Sequence, residues 1–67
     1  MQIISERLKL LRAKHIISQK RLAEALDIKQ NTLSQYETGV RLPSYEILIA
    51  IANYFCVTTD YLLGREG

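Results

Sequence analysis

SQKRLAEALDIKQNTLSQYETG, residues 18–39, holds two amphipathic helical patterns with almost nothing between them. Ser18 offers a side-chain oxygen as an N-cap, and Leu22, Ala23 and Leu26 follow at i, i+1 and i+4. That spacing predicts a helix over residues 19–26 with one inward stripe. Asp27 and Ile28 alone separate it from a second pattern, which starts at Lys29, carries Leu33 and Tyr36 three apart, and stops at Gly39. Glycine suits the left-handed position that ends a helix. Two helices joined by about three residues cannot lie flush and antiparallel; they cross steeply, with a small residue at the elbow, where Ala23 falls. Many small helical proteins contain such a pair, so the spacing gives a geometry without a function.

The second helix of the pair is poorly made by intrinsic standards. It is rich in Asn, Thr, Ser and Gln, and it opens on a lysine where a hydroxyl or carboxylate cap and negative charge are preferred. Stepping about 100° per residue, Leu33 and Tyr36 mark a core side, while Gln30, Asn31, Ser34, Gln35 and Thr38 share the opposite half. That outward half has amides and hydroxyls and no charge at all. Carboxamides can make paired hydrogen bonds to a base edge in the major groove, adenine above all. The helix over 19–26 likewise opens with Gln19, Lys20 and Arg21 and no acid. Two adjacent helix starts left free of carboxylates form anion sites, and Lys29 and Lys20 suit a phosphate there.

The flanking sequence adds three more helices and no strand. Ile4, Leu8 and Leu11 predict a first helix over residues 4–15. Pro43-Ser44 signals the start of a fourth that runs to Phe55. Thr58 caps a short fifth, 59–63, which Gly64 stops. The expectation is an all-α, compact five-helix domain over residues 1–67, with the steep pair at 19–38 as a helix-turn-helix.

Composition restricts function. A chain of 67 residues is close to the smallest that one apolar core can hold, and 48% apolar with 24% charged residues places it among folded globular domains. The longest apolar run, residues 47–52, is far short of the roughly 20 needed to cross a bilayer, and no signal peptide precedes it. Cys56 has no disulfide partner and His15 no metal-ligating neighbour. Cytoplasmic localisation, no metal and no cofactor are therefore expected. Cys56 reads as a small semi-buried apolar residue, and His15 as part of the last turn of the first helix. No Ser-His-Asp or Cys-His arrangement and no glycine-rich phosphate loop is present, so no enzyme is expected. Residues 1–43 carry eight Lys or Arg against four Asp or Glu, +4, and residues 44–67 carry one against three, −2. A polyanion would meet the first part and not the second.

Residues 7–63 resemble the DNA-binding domain of the phage repressor and Cro type, with its Xre-like bacterial relatives. SQKRLAEAL, the following NTLSQYETG, Pro43-Ser44 and DYLL near the end carry the resemblance, four separated segments agreeing in order and spacing. It implies a sequence-specific regulator of transcription, a repressor, that reads double-stranded DNA with Gln30, Asn31, Ser34 and Gln35. Gln19 and Arg41 match positions that bond the DNA backbone, and Thr38, one turn farther along, is a backbone contact or none. Arg12 and Glu37 match a partly buried salt bridge between the first and third helices, whose loss in Glu37→Ala is expected to cost several kcal/mol, on the order of 3 to 5. Ile16, Asp27 and Cys56 stand where the family commonly has glycine. Ile and Cys enter the left-handed conformation reluctantly, so longer or differently shaped helix ends are expected there.

The fourth helix is apolar nearly all round. Beyond its core face, Ile47, Ile49 and Tyr54 form an expected homodimer patch, which would suit a palindromic operator with recognition helices about 34 Å apart. The alternative is a protein-interaction module of the same fold, an antitoxin or a regulator's docking domain. A chain of this kind is either a complete small Cro-like regulator or the front part of a longer one.

Overall fold

The computed structural model describes residues 3–65. Five helices follow in order: α1 Ile3–Lys14, α2 Gln19–Leu26, α3 Gln30–Thr38, α4 Tyr45–Phe55 and α5 Thr59–Leu63, with no strand among the described residues. Each helix sends one fully buried aliphatic side chain into a common centre: Leu8, Leu22, Leu33, Ile51 and Leu62. Burying one such side chain stabilises the fold by about 1.5–3 kcal/mol, so no helix is dispensable to the core. Arg7 fastens α1 to α5, donating from Nη1 to the Tyr61 carbonyl at 3.1 Å with its guanidinium 4.3 Å from the centre of the Tyr61 ring.

The helix starts follow from side-chain caps. Ser18 Oγ accepts from the Arg21 N–H at 3.1 Å, Ser44 Oγ from the Ile47 N–H at 3.3 Å, and Thr58 Oγ1 from the Tyr61 N–H at 3.0 Å. Lys29 occupies the same place before α3 and makes no such bond.

The helix ends correct the expectation drawn from the missing glycines. Ile16, Asp27 and Cys56 all adopt the left-handed conformation, at φ of 53°, 58° and 56°. The residue after each explains why. Ile17, Ile28 and Val57 donate their N–H back to the carbonyls of Arg12, Ala23 and Ala52, at 3.1, 3.0 and 2.9 Å, and pack their side chains on the core. This backbone bond with its apolar contact outweighs the conformational penalty at the preceding residue, about 1–2 kcal/mol. The left-handed side chains consequently point outward: Ile16 is 93% exposed, and Cys56 is exposed rather than semi-buried. Gly64 has a second constraint, because a Cβ there would lie 2.9 Å from Ile3 Cγ2. His15 falls just beyond α1 instead of in its last turn, and its ring packs against Phe55 at 5.1 Å between centroids.

Candidate nucleic-acid interface

The elbow between α2 and α3 consists of Asp27, Ile28 and Lys29, with Ala23 buried inside it. Leu33, Tyr36 and Glu37 bury the inner side of α3. Gln30, Asn31 and Thr38 are exposed on its other side, and Ser34 and Gln35 are half-buried between the two. The four expected base-reading residues therefore lie on one strip away from the buried side, Gln30 and Asn31 exposed and Ser34 and Gln35 half-buried.

Behind that strip lies a polar network. Arg12 donates from Nε to Glu37 Oε2 at 2.7 Å, from Nη2 to Glu37 Oε1 at 3.0 Å, and from Nη1 to the Ile17 carbonyl at 3.1 Å. The Glu37 side chain is 4% exposed and that of Arg12 26%. Hydrogen bonding to Glu37 raises the Arg12 pKa above its ordinary value, against a lowering by burial and with a smaller attraction to the carboxylate added. Gln19 Nε2 also donates to Glu37 Oε1, at 3.0 Å, and Gln19 Oε1 lies 3.5 Å from Gln30 Nε2. Sequence reasoning paired Arg12 with Glu37 and missed both bonds of Gln19; its one signal was a neutral amide at the start of α2, beside Lys20 and Arg21.

The remaining backbone candidates divide. Lys29 and Arg41 line one open cleft with Thr32, Tyr36 and Ser44, beside the N-terminus of α3. Lys20 is exposed in the first turn of α2. Neither α2 nor α3 has an acid in its first turn. Thr38 Oγ1 donates to the Gln35 carbonyl at 3.2 Å, so its proton is engaged within the helix and a phosphate would have to displace that bond.

The expected dimer residues are less uniform than the sequence suggested. Ile47 is half-buried and packs on the core, Ile49 is half-buried, and Tyr54 is 43% exposed with its ring edge-on to Phe55. Val40, Leu42 and Tyr45, just before or at the start of α4, are more exposed than any of them. Among the described residues no group of His, Cys, Asp and Glu could hold a metal ion, and no helix is long and apolar enough to cross a membrane.

Residues 8–62 match a family described as helix-turn-helix. The chain is 43% identical over 63 residues to the HTH-type transcriptional regulator ImmR of Bacillus subtilis (strain 168), covering 94% of this chain and 50% of ImmR. It is 44% identical over 61 residues to the HTH-type transcriptional regulator AnsR of the same organism, covering 91% of this chain and 53% of AnsR. The chain thus spans about half the length of these relatives. Its fold superposes on the P22 c2 repressor, crystallised with a synthetic operator, with a TM-score of 0.89 at 29% identity, covering 98% of this chain and 100% of that one.

Proposed function

We propose, from the premise that this chain belongs to the helix-turn-helix family, that it binds double-stranded DNA sequence-specifically and regulates transcription, with α3 in the major groove. Gln30, Asn31, Ser34 and Gln35 read base edges, and Gln19, Lys20, Lys29 and Arg41 hold phosphates. Thr38 is at most a backbone contact. The observation that carries this reading is the uncharged amide and hydroxyl strip of α3, bordered by two helix starts without acids and by exposed Lys20, Lys29 and Arg41. A protein-binding surface would be expected to centre on Trp, Tyr or Arg instead. With one Gln30 N–H directed at Gln19, its second N–H and its Oε1 remain, the pair that matches adenine N7 and N6.

The unit over residues 1–67 acts as a cytoplasmic homodimer on a palindromic operator, Ile47, Ile49 and Tyr54 lying at or near the contact between copies. Repression is the reading favoured by the likeness to the P22 c2 repressor. Selection from random duplexes at two salt concentrations tests the core of the proposal. The expected result is an enriched palindromic site whose affinity falls steeply with salt, because each phosphate contact releases counterions. Gln30→Ala and Gln35→Ala should then relax preference at single positions. No enrichment would favour a protein-interaction module.

A further inference from the structure

We propose that the outer face of α1 is a second contact between copies of this chain, an antiparallel pairing of α1 with α1 whose two-fold axis passes through Leu10. Leu10 is 59% exposed and Ile3 42%, and Ile16, just past the helix end, is 93% exposed. Stepping about 100° per residue, Ile3, Glu6, Leu10, Ala13 and Lys14 fall within about 100° of one another, on the side away from the buried Leu8 and Leu11. Ile16 extends this stripe. One shallow groove is lined by Glu6, Lys9, Leu10 and Ala13, and the groove beside it holds Lys9, Ala13 and Ile16. α1 packs its inner side on α3 and α5, and the exposure of Leu10 and Ile16 leaves the outer side open.

The charges identify the occupant. Glu6 stands four residues before Leu10 and Lys14 four after, and neither forms an ion pair among the described residues. They are about 12 Å apart along the helix, too far to meet each other. A two-fold contact sets the same patch of both copies face to face, so each residue meets its symmetry counterpart's neighbour and is met in return. With the helices antiparallel and Leu10 on the axis, Glu6 of each copy lies against Lys14 of the other, and Ile3 against Ile16. A parallel pairing would set Glu6 against Glu6 and Lys14 against Lys14. Ala13 is exposed and small, which lets the two helices approach closely. About five residues per copy fall well short of the 20–30 a side of a standard interface, so the contact is weak in dilute solution. It shares no residue with the strip of α3 or with Ile47, Ile49 and Tyr54, and so can join chains already paired through α4. On the reading of α3 given above, pairs seated on neighbouring DNA sites would hold each other at about millimolar local concentration, and the contact would make their binding cooperative.

Sedimentation equilibrium without DNA, at protein concentrations up to about 1 mM, tests the contact apart from any DNA binding. Wild type should show a weak association step that Leu10→Gln abolishes. Because Leu10 is 59% exposed, that variant should keep the wild-type circular dichroism and thermal midpoint. Glu6→Lys and Lys14→Glu should each weaken the step by roughly tenfold, since two exposed attractions become two repulsions. An equimolar mixture of the two variants should restore it to within about twofold of wild type, because a Glu6→Lys chain meets a Lys14→Glu chain with both pairs opposite in sign. The mixture also controls for the first-turn acid that Glu6→Lys removes, since any harm to α1 itself persists there. Absence of a step sensitive to Leu10→Gln overturns the proposal and leaves the face to a different protein. Losses in the single variants without recovery in the mixture overturn it as well, because the charges then act within one chain. Either failure leaves the reading of α3 standing, which selection from random duplexes tests separately.

Discussion

The helix starts of this domain fall into two groups. α1, α4 and α5 carry Glu6, Glu46 and Asp60 in their first turns, where a negative charge offsets the positive end of the helix dipole. α2 and α3 carry no acid there, and α3 even begins on an uncapped lysine. α3 also departs in how it is held: it is fastened to α1 by a buried carboxylate as well as by Leu33, whereas the buried residues of α2, α4 and α5 are all apolar. Three helices are therefore optimised for the folded chain by itself, and two keep unmet electrostatic demands that an outside anion would satisfy.

The largest expected effect breaks the polar fastening. Arg12→Met should destabilise the domain by about 3–5 kcal/mol, because it leaves a 4% exposed carboxylate with only the Gln19 amide to solvate it. A small domain of this size has roughly 3–10 kcal/mol in total, so the thermal midpoint should fall sharply. Glu37→Ala should cost less, since Arg12 is 26% exposed and its guanidinium can return to water. The sequence alone singled out Glu37→Ala as the costly substitution; the deeper burial of the carboxylate moves the larger loss to Arg12→Met. Thermal unfolding of the three proteins decides the matter; equal losses in both variants would place the cost in packing.

Which features were legible in the sequence follows the same division. The five helices could be placed within a residue or so because Ser18, Ser44 and Thr58 are local caps, read without tertiary knowledge. The left-handed turns at Ile16 and Cys56 were not legible, because their cause is the docking of Ile17 and Val57 on a core that exists only in the folded chain. The site divides likewise. Periodicity alone placed Gln30, Asn31, Ser34 and Gln35 on one face, and no periodicity could have joined Gln19 to Glu37 across eighteen positions. The apolar character of α4 misled in degree, since half-burial of Ile47 and Ile49 accounts for part of it.

Lys29→Ser sharpens the contrast at its weakest helix start. A hydroxyl cap in place of the exposed lysine should stabilise the free domain by about 0.5–2 kcal/mol. The same substitution should weaken binding to all duplexes alike and reduce the salt slope by about one, as expected for loss of a phosphate contact. Chemical denaturation and salt-dependent titration read the two effects separately. A gain in stability with unaltered DNA affinity would remove Lys29 from the interface.

The smallest effect is expected from the opposite group, and it is the control on which the comparison depends. Glu46→Gln removes the exposed carboxylate from the first turn of α4 and leaves the Ser44 cap in place. If that charge serves only the helix dipole, the domain should lose about 0.3–1 kcal/mol at low salt and less at high salt, where the interaction is screened. At a salt concentration that screens exposed charges, DNA affinity should stay within about twofold of wild type. A larger gain in affinity would mean that Glu46 lies within electrostatic reach of the duplex. The division between helix starts that serve the fold and helix starts that serve DNA would then have to be drawn through α4 instead of after α3.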